Sequence, residues 1–174
     1  MEVEIRVAAS ISSDTKLGWP LVSVVILNYN GIGVLLNCLR SVFSSDYPSL
    51  QVIVVDNGSM DGSADVAKKE FPQIILVSNG RNLGYCEGNN VGIREARGEY
   101  IVLLNNDVFV TEGWLKALLE ACSRHVEAGF FQPKILLADR LRIINSAGNT
   151  IHFAGFGLCR GMGESDLGQF DDET

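Results

Sequence analysis

The chain has 174 residues, which is enough for one domain with its own hydrophobic core. Hydrophobic residues make up 47% and charged residues 20%, a balance that is typical of globular proteins and not of disordered chains. The net charge of −7 argues against a nucleic-acid partner, because binding a polyanion needs a basic surface. A small phosphorylated ligand is compatible with this charge, since a divalent cation can supply the positive partner.

The four cysteines lie far apart, without a Cys-x-x-Cys pair, so their spacing disfavours a zinc site. We expect reduced, mostly buried thiols. The first 20 residues do not read as a signal peptide, and no apolar run approaches the roughly 18 residues of a membrane helix. The sequence therefore predicts a cytoplasmic protein, whose membrane contact, if any, is peripheral, at the inner face, and made through parts not present here.

From Leu21 onward, apolar runs rich in Val and Ile alternate with helical patterns. In chain order they predict strand 22–27, helix 34–43, strand 52–55, helix 63–71, strand 74–77, helix 87–96, strand 100–104 and helix 112–125. This alternation predicts an α/β fold, a mostly parallel Rossmann-like sheet with helices on both faces. Thr111 is the predicted cap of the last helix.

The two ends of the chain differ from this regular part. Residues 1–20 are predicted to be a loosely packed N-terminal extension, and residues 21–174 to be the domain. Residues 130–137 and 142–153 predict further strands, with a hairpin at Gly148–Asn149. From Gly155 the chain is rich in glycine and acidic residues, so we expect the domain to be incomplete at its C-terminus.

Short polar side chains follow each of the four strands predicted between residues 22 and 104, at the strand ends where ligands bind in parallel sheets. They lie in the segments Asn28-Tyr29-Asn30, Asp56-Asn57-Gly58-Ser59, Asn79-Gly80-Arg81-Asn82 and Asn105-Asn106-Asp107. Asp107 suits Mg²⁺ or Mn²⁺, which take oxygen ligands, often one or two carboxylates together with substrate phosphates. Asn105 could reach a ribose or a metal-bound water. A simple turn explains this last segment equally well, because Asn and Asp are favoured in turns.

Two further segments have the same two interpretations. Asp56 could accept a hydrogen bond from a base imide or a ribose hydroxyl, or it could form an Asx-turn, whereas Asp61 suits the start of the next helix. Arg81 could pair with a phosphate beside the close backbone approach that Gly84 allows, or it could simply be solvated. Asn90 lies within a helical pattern, where Asn is a poor choice, which indicates a use for it.

A competing pattern is Gly31-Ile32-Gly33 with Asp56 downstream, which is similar to a dinucleotide-binding fingerprint. Leu36 stands where the third glycine belongs. This pattern keeps a dinucleotide-binding oxidoreductase fragment open as an alternative. A non-catalytic nucleotide-binding module is the other alternative.

Taken together and in this order, the segments resemble family-two glycosyltransferases of the GT-A type. The resemblance covers about residues 21–174 and is carried by 22–30, 54–63, 82–100 and 104–107, the last of which resembles an Asp-x-Asp metal motif with Asn105 in first place. It implies metal-dependent, inverting transfer of a sugar from a UDP- or dTDP-sugar to a hydroxyl of a glycan or lipid-linked acceptor. Mg²⁺ or Mn²⁺ is the implied cofactor, and Asp107 is its implied ligand.

The resemblance also implies roles for the other residues. Those implied in nucleotide-sugar binding are Asn28, Tyr29, Asn30, Asp56, Asn57, Ser59, Arg81, Asn82, Gly84, Asn90, Asn105 and Asn106. Within this set, Asn28, Tyr29 and Asn30 would line the base and ribose pocket, Asp56 would contact the base, and Asn90 would lie on the sugar side. The Asn-Asn-Asp form and the runs 84–90, 160–164 and 168–170 resemble rhamnosyltransferase-type members, which implies a dTDP-rhamnose donor. The family's general base lies further along its domain, so Asp171, Asp172 and Glu173 are not assigned that role.

Overall fold

The computed structural model describes the backbone of residues 3–5 and the whole of residues 18–171. Within these residues there are ten strands and four helices. In chain order they are β1 (Val3–Ile5), β2 (Val22–Asn28), α1 (Leu35–Phe43), β3 (Leu50–Asp56), α2 (Ser63–Glu70), β4 (Ile75–Ser78), α3 (Gly84–Glu95), β5 (Tyr100–Asn105), β6 (Val108–Val110), α4 (Trp114–Arg124), β7 (Ile135–Leu137), β8 (Arg140–Ser146), β9 (Asn149–Ile151) and β10 (Gly157–Cys159).

The chain divides into two compact units. Among the described residues, one unit comprises 18–43 and 47–108, and the other comprises 3–5, 44–46 and 109–171. The first unit is built on a sheet of four parallel strands in the order β4-β3-β2-β5. The predicted α/β fold with a parallel sheet is therefore confirmed, and each of the four strands predicted between residues 22 and 104 lies within about two residues of an observed one.

Both faces of this sheet are covered. Consecutive residues of β2 point to opposite faces, yet Val24, Val25 and Ile26 are all completely buried. On the face of Val25, α3 approaches through two glycines: a Cβ at Gly88 would lie 2.6 Å from Leu27 Cδ1, and one at Gly92 would lie 2.3 Å from Val25 Cγ1. The β-branched strand residues and these glycines therefore create the tight helix-to-sheet packing that holds the strand ends in place.

The second unit contains a sheet in the order β6-β1-β7-β8 and a separate hairpin of β9 and β10. Because β1 pairs antiparallel with β7, residues 3–5 of the predicted extension belong to a sheet. Residues 18–20 of the predicted extension form no helix or strand, and residues 1, 2 and 6–17 lie outside the described residues.

Two local predictions in this unit are wrong. The expected hairpin at Gly148–Asn149 does not form, because β8 pairs with β7 while β9 pairs with β10, and Gly148 turns the chain between them with a φ of 98°. Thr111 is not the N-cap residue of α4 either, because Gly113, with a φ of 76°, occupies that position. Among the described residues, no helix is long and apolar enough to cross a bilayer.

Candidate functional site

The predicted ligand-binding segments meet at one edge of the parallel sheet. In the strand register, Asn28 lies beside Asp56, Asp56 lies beside Ser78, and Leu27 lies beside Asn105. The loops that follow β2, β3, β4 and β5 therefore begin next to one another at the carboxyl ends of the strands. All the predicted site residues lie in the first unit.

The side chain of Asn28, at the end of β2, connects the loop after β3 with the loop after β5. Its side chain is completely buried, and its Nδ2 donates to Asp56 Oδ1 at 3.3 Å, Ser59 Oγ at 3.1 Å and Ser63 Oγ at 2.9 Å. Its Oδ1 accepts a hydrogen bond of 2.9 Å from Asn106 Nδ2. The structure thus places Asn28 beneath the site surface, where it organises the loops and has no exposed surface for a ligand. The sequence pattern did not single out Ser63 as part of this network.

Asp56 is a nearly buried carboxylate with incomplete hydrogen bonding. It is 5% exposed, and Ser59 N donates to its Oδ2 at 3.2 Å and to its Oδ1 at 3.4 Å. No Lys or Arg among the described residues forms an ion pair with it. The contacts with Ser59 N form the Asx-turn that the sequence analysis kept as one interpretation. Because these hydrogen bonds are long, the carboxylate oxygens keep the capacity to accept another one. Burying a carboxylate without a partner is costly. Asp56 therefore keeps the capacity to bind a hydrogen-bond donor.

Tyr29 and Asn30 follow Asn28 in the chain, and Ser59 connects Asn30 with Asp56 through hydrogen bonds to both. Tyr29 is 50% exposed, which leaves its ring open to solvent. Asn30 has a φ of 52°, and its Oδ1 accepts a bond of 2.9 Å from Met60 N. Ser59 Oγ accepts hydrogen bonds from Asn30 N at 2.9 Å and from Asn28 Nδ2, so its own proton points elsewhere. The hydroxyl of Ser59 is therefore oriented as a donor.

Asn57 fixes the loop between β4 and α3. It is 2% exposed; its Nδ2 donates to Asn82 Oδ1 at 2.9 Å and to Gly84 O at 3.2 Å. Its Oδ1 accepts from Asn79 Nδ2 at 3.0 Å and from Leu83 N at 2.9 Å. With all four positions used, Asn57 positions the loop, whereas Asn82 and Gly84 are exposed on it.

Gly58, on the neighbouring loop, allows the backbone at Arg81 to lie close to the carboxyl edge of the sheet. Gly58 has a φ of 82°, and a Cβ there would lie 2.7 Å from Arg81 Cα. The backbone at Arg81 can lie this close only because position 58 has no side chain. Arg81 is exposed.

The two asparagines of α3 have different environments. Asn89 is 3% exposed and donates to Tyr85 O at 3.0 Å. Asn90 is exposed, and its Nδ2 donates to Glu87 Oε2 at 3.4 Å. Hydrogen bonds from Arg94 and then from Asn90 hold the pKa of Glu87 below its usual range. Of the pair, Asn90 is the residue that faces outward.

Asn105, Asn106 and Asp107 lie at the end of β5 and in the turn that follows. Asn105 is exposed, while Asn106 and Asp107 are half-buried. Cys38 Sγ contacts Asn105 O at 3.6 Å from below, and burial raises the pKa of that thiol to about 12. Within residues 18–171, His, Cys, Asp and Glu side chains form no group of three that could hold a metal by themselves. A cation at Asp107 would therefore need further ligands of other kinds, such as amide or backbone oxygens, water or the phosphates of a bound molecule.

The Gly31-Ile32-Gly33 segment is not arranged as a dinucleotide fingerprint requires. Such a loop presents free backbone N–H groups to a pyrophosphate at the start of the following helix. Here Ile32 N donates to Asp61 Oδ2 at 2.8 Å, so a carboxylate already occupies that position. Hydrogen bonds from Ser63, above all that of its hydroxyl, hold the pKa of Asp61 below its usual range, and the group stays charged. A second anion is disfavoured there.

Of the three acidic residues near the C-terminus, only Asp171 is described, and it forms an ion pair with Lys134. Asp172 and Glu173 lie outside the described residues.

A parallel sheet in this order, with polar loops at the carboxyl ends of its strands, is similar to the parallel sheet of glycosyltransferases with a GT-A fold. Two solved structures share it. The mannosyltransferase PcManGT from Pyrobaculum calidifontis, in complex with GDP-Man and Mn²⁺, matches with a TM-score of 0.56 and 25% identity over 62% of this chain and 36% of that chain. S. aureus TarS 1–349, in complex with UDP-GlcNAc, matches with a TM-score of 0.56 and 22% identity over 71% of this chain and 42% of that chain.

Residues 23–135 match the family model described as Glycosyl transferase family 2, and the chain belongs to that family. It is 29% identical over 103 residues to glycosyltransferase GlyG of Streptococcus pneumoniae, covering 58% of this chain and 34% of that protein. It is 31% identical over 102 residues to glycosyltransferase AglE of Haloferax volcanii, covering 56% of this chain and 34% of that protein. The chain thus spans about a third of the length of these two curated relatives.

Proposed function

We propose that this chain is the donor-binding part of a metal-dependent, inverting glycosyltransferase that uses a UDP- or dTDP-linked sugar. The observation that carries the proposal is the environment of Asp56 at the carboxyl edge of the sheet. This carboxylate is 5% exposed, and the hydrogen bonds that it accepts are long, between 3.2 and 3.4 Å. Uracil and thymine both carry an imide N–H, a donor that matches this acceptor. The family membership of the chain supports sugar transfer as the reaction.

The base and ribose would be held by the loops after β2 and β3. Asp56 would accept the imide hydrogen bond, and the exposed ring of Tyr29 would stack on the base. Ser59, whose oxygen already accepts two hydrogen bonds, would donate its proton to the nucleoside. Asn28 would keep these groups in place, and Asn30 would do so through its bond to Met60 N.

The diphosphate and sugar would lie towards the loops after β4 and β5. Arg81 would pair with a phosphate, on a loop that also exposes Asn82 and Gly84 and that Asn57 holds in place. Asn90, exposed on α3, would lie on the sugar side. Asn105, exposed at the end of β5, would reach the ribose or a metal-bound water.

Mg²⁺ or Mn²⁺ would be bound by the carboxylate of Asp107. The donor set fits these hard cations, which take oxygen ligands and commonly use one carboxylate together with substrate phosphates. The complex of PcManGT with GDP-Man and Mn²⁺ supports a divalent metal in this fold. When bound, the cation stabilises negative charge on the leaving nucleoside diphosphate.

The proposed reaction is direct displacement at the anomeric carbon by an acceptor hydroxyl of a glycan or lipid-linked sugar. It requires a carboxylate base, which we do not assign to any described residue. The Asn105-Asn106-Asp107 form supports rhamnose from dTDP-rhamnose as the transferred sugar.

Calorimetric titration of the purified chain with dTDP, UDP, GDP and NADH, first with Mn²⁺ and then with EDTA, tests the proposal. We expect dTDP or UDP to bind with Mn²⁺ and to lose most of that affinity in EDTA. GDP should bind more weakly. Binding of NADH alone, or pyrimidine nucleotide binding that EDTA leaves unchanged, would contradict the proposal.

A further inference from the structure

The turn that carries Asp107 is tied to the end of β2 by a hydrogen bond between two side-chain amides. Asn106 Nδ2 donates to Asn28 Oδ1 at 2.9 Å. Asn28 cannot turn its amide over to release this bond, because its Nδ2 faces the oxygens of three residues. They are Asp56 Oδ1, Ser59 Oγ and Ser63 Oγ. The completely buried Oδ1 of Asn28 therefore has a fixed direction and needs a donor at position 106.

Gly31 leaves the space through which this bond passes. A Cβ at position 31 would lie 2.3 Å from Asn28 Oδ1 and 2.4 Å from Asn106 Nδ2, well inside van der Waals contact with both partners. Its φ is not in the left-handed region, so glycine is needed here for space alone. Gly33, two residues further on, would meet no atom within 4 Å if it carried a Cβ. The two glycines of the segment therefore have different functions.

We infer that Asn106 is a positioning residue for the metal site: through Asn28 it holds the turn with Asp107 at a fixed place relative to Asp56 and Ser59. This inference rests on the proposed function and assigns Asn106 an action through Asn28 and not a contact with the nucleotide. The bond joins the loop proposed to bind the metal to the loops proposed to bind the base. Gly31 is also needed for this positioning, because it leaves space for the hydrogen bond between Asn106 and Asn28.

The inference predicts that loss of the Asn106 amide selectively lowers the affinity for the metal. Without the Asn106 amide, Asn28 keeps its three bonds to the loop after β3, so the base-binding groups stay in place. The turn with Asp107 loses its side-chain connection to β2 and samples more conformations, which weakens binding of a cation shared with a diphosphate. A residue with only a general structural role would weaken both binding components together.

The test is calorimetric measurement of UDP and dTDP binding across a Mn²⁺ titration and again in EDTA, for the complete chain and its variants. The deciding variant is Asn106→Ala, which removes atoms and introduces no clash. We expect its apparent affinity for Mn²⁺ in the presence of nucleotide to fall about threefold to tenfold, the loss that one buried hydrogen bond predicts. Its nucleotide affinity in EDTA should equal that of the unaltered chain.

Gly31→Ala should break the same hydrogen bond, because its methyl group would clash with both partners. Gly33→Ala is the matched control. Gly31→Ala should reproduce the metal-selective loss, while Gly33→Ala should bind like the unaltered chain. The double variant Asn106→Ala/Gly31→Ala should lose less than the product of the two single losses, because both changes break one contact. If Gly31→Ala does not fold, as circular dichroism would show, Asn106→Ala alone decides.

The outcomes separate the inference from the proposed function. If the unaltered chain shows no metal-dependent nucleotide binding, the proposed function is wrong and the inference falls with it. If the unaltered chain binds and Asn106→Ala keeps its full Mn²⁺ affinity, only the inference is overturned. Equal losses of affinity with Mn²⁺ and in EDTA would overturn it as well, since they indicate a general loss of structure.

Discussion

Gly92 of α3 packs so closely against Val25 of β2 that a Cβ at position 92 would lie 2.3 Å from Val25 Cγ1. The same Cβ would lie 2.8 Å from Val55 Cγ2 of β3. Both valines are completely buried in the cluster beneath the helix. Position 92 therefore sets the distance between α3 and the sheet, and with it the place of the loop that precedes the helix.

Gly92→Val should destabilise the protein by roughly 2 kcal/mol, because overpacking a well-packed core forces side chains from their rotamers and shifts the backbone. Urea unfolding followed by circular dichroism measures this loss. Gly129→Val is the matched control, because a Cβ at position 129 would meet no atom within 4 Å. Equal stabilities of the two variants would show that α3 moves away from the sheet without cost.

Asp56→Asn and Asp107→Asn should separate base binding from metal binding. Asp56→Asn should weaken UDP and dTDP binding about tenfold with and without Mn²⁺, because a hydrogen bond to a charged group is lost. Asp107→Asn should remove the Mn²⁺-dependent part of the affinity and leave binding in EDTA unchanged. Calorimetric titration checks both, with the exposed Asp139→Asn as control. Identical profiles for the two site variants would contradict separate roles.

Cys38 should make the protein less stable in alkali. Burial raises the pKa of its thiol from 9.0 to about 12, so between these values the unfolded chain releases a proton that the folded protein keeps. Stability therefore falls as pH rises through this window, by up to about 1.4 kcal/mol per pH unit for this group. Cys38→Ala should show a flatter decline in urea unfolding between about pH 8 and about pH 11. The exposed Cys159→Ala should follow the unaltered chain, and parallel curves for all three proteins would contradict the assignment.

Lys134 should stabilise the second unit through two carboxylates. Its side chain is 11% exposed, and its Nζ donates to Asp166 Oδ1 at 2.9 Å and to Asp171. Burial lowers the pKa of Lys134, but the hydrogen bonds that its ammonium donates to the two carboxylates outweigh this effect, so the net shift of the pKa is upward. The charged pair therefore stabilises the fold below the ordinary lysine pKa, and this contribution is lost as pH rises above it.

Lys134→Met should lower stability by roughly 1–3 kcal/mol, because it removes the hydrogen bonds that the Lys134 ammonium donates to two carboxylates. Hydrogen exchange of the amides of residues 161–171 should speed up in the same variant. Arg140→Met is the control, since Arg140 and Asp139 form a solvent-exposed pair and such pairs contribute about 0–1 kcal/mol. Equal effects of both substitutions would show that the Lys134 pairs are no stronger than a surface contact.

The sequence alone determined the order of strands and helices in the first unit and the polar segments that meet at one edge of its sheet. This was possible because strands buried on both faces need nearly continuous Val and Ile runs, such as residues 22–27, and because parallel strands end at one edge. The Asp-x-Asp-like segment and the other matching motifs also predicted the family, which the family model confirms over residues 23–135.

Only the tertiary structure decided which of the asparagines faces outward. Asn28 and Asn57 look like ligand-binding residues in sequence, yet both are buried by partners 22 to 78 positions away along the chain. The roles of Gly31 and Ser63, the pairing of β8 with β7 and the start of α4 at Gly113 also depend on distant neighbours or on the path of the backbone. Local patterns report what a residue can bond to, whereas long-range packing decides which bond it makes and whether any polar atom is left for a ligand.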